Sequence, residues 1–214
     1  MNPEKRAAAL FRFVLPLLLL LNLGTLALVR DTGYVSAEAT IEAFAAMHDY
    51  LRQNPTLEPP RALAVIDYSR PSSMKRMAII DLKTARRSFY RVAHGKNSGE
   101  LFARRFSNTR ESNMSSLGLY RTSFVYHGDH GLAMRLEGLD SLRNGNAAIR
   151  DIVLHSADYV SLPYILLNTF TLQGPRIGRS NGCFVVSKND LASVIDRLGQ
   201  GAFIYAWAGN PEKQ

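Results

Sequence analysis

Residues 62–93 read ALAVIDYSRPSSMKRMAIIDLKTARRSFYRVA. This stretch holds three short runs rich in Val, Ile, Tyr and Phe, with turn-forming residues between them: Ala62–Ser69, Arg76–Leu82 and Ser88–Ala93. Five more short runs along the chain are interpreted as strands in the same way: Leu119–Tyr126, Leu132–Leu136, Asp151–His155, Phe184–Val186 and Phe203–Trp207. Many short strands with few helices predict a mainly β domain, built as a β-sandwich or an open barrel.

Two stretches have the pattern of helices. Residues 36–52 (SAEATIEAFAAMHDYLR) are amphipathic and are followed by the chain breaks Asn54-Pro55 and Pro59-Pro60. Lys188–Leu198 is also amphipathic and ends at Gly199. We therefore expect an N-terminal helix ahead of the strands and one or two short helices within the β domain.

The N-terminus has the pattern of an export signal. Three basic residues occur within the first twelve, and Phe13–Val29 then runs without a charge. This predicts a signal peptide or a membrane anchor over residues 1–37, with Val35-Ser36-Ala37 as an acceptable cleavage site. The rest of the chain is then expected outside the cytoplasmic membrane, in the periplasm or the cell envelope, where residues 13–29 could also tether it.

The composition narrows the class of protein. With 214 residues, 46% of them apolar, the chain is neither disordered nor a polytopic membrane protein. Its net charge of +8 comes from scattered basic residues without interleaved aromatic rings, which argues against nucleic acid and suits an anionic polymer such as a cell wall, or solubility alone. The predicted organisation is completed by an N-terminal helix and linker over 38–60, a main domain over 61–208 and a tail over 209–214.

Cys183 is the first candidate for chemistry. It is the one cysteine of the chain, and an unpaired thiol is rarely kept in an oxidising compartment without a use. It lies in Arg179-Ser180-Asn181-Gly182-Cys183, directly before an apolar strand, where Gly182 allows a tight turn. We expect Arg179 and the N–H groups of this loop to lower the thiol pKa and make Cys183 a nucleophile.

A thiol nucleophile needs a base, and His155 is the candidate. It ends the apolar run Ile152–Leu154, and a strand end holds an imidazole rigidly. A backbone carbonyl or a hydroxyl is expected to fix its tautomer. His48, on the N-terminal helix, is expected to be a surface residue.

The other histidines leave an alternative open. His127, His130 and His155 could together hold zinc in a peptidase or amidase site. His94 and His130 could instead shape a substrate cleft. The polar segment Gly95–Gly118 is long enough to be expected to have a function of its own.

Several sequence blocks resemble those of a known family. His155-Ser156 followed by Gly178-Arg179-Ser180-Asn181-Gly182-Cys183 is similar to the His…Ser-x-Gly-Cys pattern of the murein L,D-transpeptidases, the YkuD-like cysteine transpeptidases. The stretches 92–99, 106–108, 115–120 and 130–136 support the resemblance to the catalytic-domain-like branch of this family. The resemblance extends in order from Ala62 to Trp207.

The resemblance implies a β-sandwich-like catalytic domain that transfers an acyl group from a peptidoglycan stem peptide through a cysteine thioester, without a cofactor. Transfer to an amine is L,D-transpeptidation, and transfer to water is L,D-carboxypeptidation. By matching positions, Cys183 would be the nucleophile and His155 the base, and Ser180, Asn181 and Gly182 would form the loop around the oxyanion. The weaker candidates for contacts with the substrate are Arg179, Ser156, His130, His94 and Arg135. Apart from the resemblance, Arg135, Arg150 and Arg179 could pair with substrate carboxylates, because a planar guanidinium matches the geometry of a carboxylate.

A non-catalytic wall-binding module is the remaining alternative. It rests on Asn181 and Val185, which stand where many family members carry His and Arg.

Overall fold

The computed structural model describes residues 12–14, 16, 23, 27, 30–129 and 131–209. It divides the chain into two compact units, Met1–Asp31 and Thr32–Gln214. In the first unit the described residues 12–14, 16, 23 and 27 are helical. No helix among the described residues has the length and hydropathy needed to cross a bilayer. Most of the predicted signal or anchor segment lies outside the described residues, as do residues 210–214 of the predicted tail.

The described part of the second unit is built on one eight-stranded sheet. Its strands are β1 (Ala62–Asp67), β2 (Met77–Asp81), β3 (Arg87–Tyr90), β4 (Gly118–Gly128), β5 (Gly131–Gly138), β6 (Val153–Ser156), β7 (Phe184–Val186) and β8 (Phe203–Trp207). Their order is β3-β2-β1-β8-β4-β5-β6-β7. β1 runs parallel to β8 and β6 runs parallel to β7, while the other neighbours are antiparallel. The mainly β prediction is confirmed, and each predicted run overlaps one strand.

The two outermost strands of this sheet meet along a seam. Residues 93–96, which follow β3, pair with residues 180–185 around the start of β7. The N–H of Ala93 donates to the carbonyl of Val185 at 2.8 Å, and the N–H of Ser180 donates to a carbonyl of the opposite segment at 2.9 Å. The sheet therefore curves into a nearly closed barrel, and the cysteine segment forms one side of its seam.

The inside of the barrel holds the larger core. Leu154 of β6 and Phe184 of β7 point into it, together with the apolar face of helix α3 (Lys188–Leu198). The N-cap residue of α3 is Ser187, whose Oγ accepts a hydrogen bond from the N–H of Asp190 at 3.1 Å. The sheet thus wraps around the helix that the sequence predicts after β7.

A second core lies on the outer face of the sheet, under helix α1 (Ala37–Gln53). Ala39, Ala43 and Met47 are the buried residues of this helix, and they join outward-facing residues of β1 and β8. Both faces of β1 are therefore buried, which explains why its sequence is apolar up to Asp67 rather than alternating.

The start of this unit differs from the predicted boundary at residue 37. Val35 is buried in the outer core, and Ser36 caps α1, its Oγ accepting from the N–H of Ala39 at 3.2 Å. The N–H of Ser36 also donates to the carboxylate of Asp67 at 2.9 Å. Residues 35–37 are thus part of the folded unit, and cleavage there would remove a helix cap and a core side chain.

Helix α2 (Leu162–Phe170) connects β6 to the cysteine segment. Its N-cap is Ser161, and the chain leaves the helix at Thr171. The sequence does not predict this helix, because LPYILLNTF is apolar on nearly every side and has no clear helical period. Helices α2 and α3 are the two helices that follow α1 in the described residues, which agrees with the expected one or two short helices.

Candidate active site

Cys183 lies at the end of a tight loop that leads into β7. The Ser180 side chain closes this loop, because its Oγ accepts from the N–H of Gly182 at 3.0 Å and donates to the carbonyl of Cys183 at 2.8 Å. Gly182 has a φ of +123°, and a Cβ there would lie 2.8 Å from the carbonyl oxygen of Met114. The predicted need for glycine at this turn has both a conformational and a steric cause.

His155 lies on the neighbouring strand, β6. In the parallel pairing of β6 with β7, His155 is opposite Val185. The same register, continued by one residue, sets Cys183 opposite Val153. Because side chains alternate between faces, Cys183 and His155 are diagonal neighbours on the outer face of the barrel, with Cα atoms about 8 Å apart by strand spacing and rise.

The tautomer of His155 follows from its hydrogen bond. Nδ1 lies 3.1 Å from the carbonyl oxygen of Ser156, which can only accept, so Nδ1 carries the proton. The basic lone pair is then on Nε2. A backbone carbonyl thus fixes the tautomer, as predicted, and the imidazole is 5% exposed.

Burial has the dominant effect on the pKa of the Cys183 thiol. Burial raises this pKa, while an N–H of Val153 and the guanidinium of Arg150 lower it and the carboxylate of Asp151 raises it again. The thiol donates to the carbonyl of Asp151 at a sulfur–oxygen distance of 3.5 Å. The net shift of the thiol pKa is thus upward, whereas the sequence predicts that Arg179 and the N–H groups of the loop lower it.

The guanidinium of Arg179 is bound by Glu100, in an ion pair that Glu100 shares with Arg176. Arg135 likewise forms an ion pair, with Asp151 at 2.9 Å, which holds it beside the cysteine site. Both predicted substrate contacts are thus engaged by carboxylates in this structure, and a substrate would have to displace those partners.

His94 is fully buried beneath the cysteine loop. Its Nδ1 accepts from the guanidinium of Arg76 at 2.8 Å, so its Nε2 donates to the carbonyl of Gly99, 3.1 Å away. Burial, reinforced by the charge of Arg76, lowers the pKa of His94 to about 3, so the ring is neutral. This does not fit the predicted contact with substrate. Instead, the carbonyl of His94 anchors Ser180.

The remaining predicted residues are dispersed. Asn181 is exposed on the cysteine loop, and Ser156 is half-buried after His155. His127 is exposed at the end of β4, and His130 lies outside the described residues. Within residues 30–129 and 131–209, no group of three His, Cys, Asp or Glu side chains could hold a metal ion. His48 is exposed on α1, as predicted.

Two cavities flank the predicted functional loop. A cleft of 250 Å³ lies at the cysteine loop, with Asn181, Asp151 and Arg150 in its lining. A larger cavity of 420 Å³ lies between Phe106 and Trp207 and includes none of the proposed catalytic residues. The lining of the smaller cleft does not include Cys183 or His155 either, and this cleft borders the cysteine loop through Asn181.

Two residues near Cys183 had no signal in the sequence. Asp151 has a φ of +51° and supplies the carbonyl that accepts from the thiol. Tyr159 packs against Gly178, and burial together with the nearby Cys183 raises the pKa of its hydroxyl to about 12. Asp151 and Tyr159 lie near the sulfur because β6 pairs with β7, the strand that follows Cys183.

Comparison with known proteins gives a family. Residues 32–207 match the family described as the L,D-transpeptidase catalytic domain. No curated protein is significantly similar to the chain in sequence.

Among solved structures, an L,D-transpeptidase from Mycobacterium smegmatis is 13% identical with a TM-score of 0.41, over 70% of this chain and 59% of that one. One from Xylanimonas cellulosilytica is 13% identical with a TM-score of 0.37, over 75% and 69%. One from Mycobacterium tuberculosis is 16% identical with a TM-score of 0.35, over 69% and 58%. The chain thus spans less than two thirds of both mycobacterial proteins. On the sequence match over residues 32–207, the chain belongs to the L,D-transpeptidase catalytic domain family.

Proposed function

We propose that this protein is a cysteine L,D-transpeptidase that acts on peptidoglycan stem peptides. The observation that supports this most directly is the register of β6 and β7, which sets His155 diagonal to Cys183 on one face. The tautomer of His155 adds to it, because Nε2 carries the lone pair that a general base needs. The family of the chain supplies the reaction class.

The acylation step begins from the neutral thiol. Sγ of Cys183 gives its proton to Nε2 of His155 and attacks the carbonyl carbon that precedes a terminal D-alanine. The carbon–nitrogen bond then breaks, and the imidazolium returns the proton to the leaving amine. D-alanine departs, and a thioester to Cys183 remains.

The second step regenerates the thiol. The amine of another stem peptide attacks the thioester and loses a proton to His155, and the departing sulfur takes that proton back. The product is a new amide cross-link. If water attacks instead, the product is a free carboxylate, which is the carboxypeptidase alternative.

The negative oxygen of the tetrahedral intermediate needs hydrogen-bond donors. The N–H groups of Ser180 and Gly182 are already used, by the carbonyl of His94 and by the Ser180 hydroxyl. The proposed donor is the N–H of Cys183, because it lies beside its own sulfur. One such donor is typically worth about 10²–10³ in rate.

Such a reaction takes place where peptidoglycan lies, so the proposal includes a location in the cell envelope. An export signal or anchor over residues 13–29 agrees with that location. Neither nucleic acid nor a cofactor has a part in the proposed reaction.

The test is intact-protein mass spectrometry after incubation with a disaccharide-tetrapeptide. Wild-type protein should gain the mass of the acyl fragment and release D-alanine, and Cys183→Ala should do neither. His155→Gln should slow acylation strongly, whereas His48→Gln, a matched change at an exposed histidine, should leave it unchanged. Release of D-alanine by Cys183→Ala would overturn the proposal.

The same assay separates the alternatives. A zinc enzyme would lose activity with a chelator and with His127→Gln, and would keep it after alkylation of the thiol. A wall-binding module would bind isolated sacculi without any acyl adduct. Either pattern would replace the proposal.

A further inference from the structure

The side chain of Arg150 lies between the cysteine loop and the long loop over residues 95–118. Its Nη1 donates to the carbonyl of Ser107 at 2.7 Å and to Oγ of Ser116 at 3.1 Å. Its Nη2 donates to the carbonyl of Met114 and, at 3.4 Å, approaches Oγ of Ser112. One guanidinium therefore fixes four points of this loop.

All of these acceptors are neutral. Across residues 30–129 and 131–209, no carboxylate forms an ion pair with Arg150, whereas Arg135, Arg176 and Arg179 each have one. The positive charge of Arg150 is therefore not compensated by a fixed anion. Since its four terminal N–H groups are directed into the loop, the structure does not support the predicted pairing of Arg150 with a substrate carboxylate.

This charge lies against the cysteine loop. A Cβ added at Gly182 would lie 3.0 Å from Nη2 of Arg150, so the guanidinium occupies the space that the glycine leaves. Cys183 is the next residue in the chain. Arg150 opposes the effect of burial on the thiol and lowers its pKa.

We propose that Arg150 is a positioning residue for the reaction of Cys183: it ties the loop over residues 107–116 to the cysteine loop and stabilises the thiolate by its uncompensated charge. The inference rests on the proposed function in one respect, that Cys183 is the nucleophile. A buried thiol needs such a partner because desolvation disfavours its anion. The other titratable groups that face the sulfur are Asp151 before β6, His155 on β6, Tyr159 after it and Tyr68 after β1.

The test measures the rate of alkylation of Cys183 by iodoacetamide as a function of pH, without any peptidoglycan. Arg150→Gln should raise the pH midpoint by about one unit, so that alkylation at pH 7 is about tenfold slower. Arg150→Lys keeps the charge but not the planar fork, so its midpoint should lie closer to that of the wild type. Arg87→Gln removes the same charge at an exposed position on β3 and should shift nothing.

A second pair of variants guards against a misfolded Arg150→Gln protein. Ser112→Asp sets a carboxylate against the guanidinium and should also raise the midpoint, whereas the neutral Ser112→Asn should not. Equal midpoints in the wild type, Arg150→Gln and Ser112→Asp, or equal shifts in the Gln and Lys variants of Arg150, would overturn the role of the charge.

A separate measurement tests whether Arg150 holds the loop over residues 107–116 against the cysteine loop. Arg150→Lys should lower kcat for acyl transfer and make the loop over residues 107–116 easier to cleave by protease, and unchanged values of both would refute it. If the midpoints shift as expected but no acyl adduct forms with the tetrapeptide, the proposed function fails and the assignment of Arg150 to the thiol stands.

Discussion

The buried imidazole of His94 should make this protein lose stability in mild acid. In the folded protein its pKa is about 3, because the ring is buried and accepts a hydrogen bond from Arg76. In the unfolded chain it is an ordinary histidine with a pKa of about 6.5. Between these two values the unfolded state binds a proton that the folded state does not, so stability falls as the pH falls.

The size of the effect follows from the two pKa values. Each pH unit well below 6.5 costs about 1.4 kcal/mol, and lowering the pH from 7 to 5 costs about 2 kcal/mol from this group. With a slope of about 2 kcal/mol per molar urea, the midpoint of unfolding should fall by about 1 M. Urea unfolding followed by circular dichroism at pH 7 and pH 5 measures it.

His94→Asn is the matched variant, because its Oδ1 can still accept from Arg76 while the side chain no longer titrates. The variant should be less stable than the wild type at pH 7 but should lose about 1 M less in its midpoint on acidification. Other groups contribute equally to both proteins and cancel in the difference. Equal losses in the wild type and the variant would refute the assignment of a neutral, buried His94.

Two further predictions concern the backbone. Gly182→Ala introduces a Cβ at a φ of +123° and 2.8 Å from the carbonyl oxygen of Met114. It should lower the free energy of unfolding in urea by about 1–3 kcal/mol and greatly reduce acyl transfer. Wild-type values of both quantities would contradict the turn geometry. Ser36→Ala removes the N-cap of α1 and should lower the free energy of unfolding by about 1 kcal/mol. The control Ser141→Ala makes the same change at an exposed loop position and should change the free energy of unfolding little. Equal effects of the two variants would show that residue 36 is not a cap of the folded unit.

Much of the fold is predictable because local patterns agree with it. Most strands carry β-branched or aromatic residues, β5 being the exception, and α3 has a clean helical period. Helix α2 has no such period. Its sequence is apolar without alternation, and such a sequence does not distinguish a helix from a buried strand. Near residue 37 the sequence supports two interpretations, since small residues that suit a protease also suit a helix cap such as Ser36.

The site was predictable in its chemical groups but not in its contacts. Cys183 and His155 stand out by residue type and by their strand-end positions. Their relation depends on the pairing of β6 with β7, which no local pattern specifies. The same is true of the two arginines: Arg179 is near Cys183 in sequence and is bound by Glu100, whereas Arg150 is distant in sequence and lies against the cysteine loop.

The seam between residues 93–96 and 180–185 also affects how the protein meets other chains. A sheet left open there would present two rows of unpaired N–H and C=O groups, which are templates for aggregation. Here the N–H of Ala93 donates to the carbonyl of Val185, and the N–H of Ser180 donates to the carbonyl of His94. A change that opened the seam would break the hydrogen bond between Ser180 and His94 and would also expose unpaired strand edges. Loss of activity and aggregation should therefore occur together.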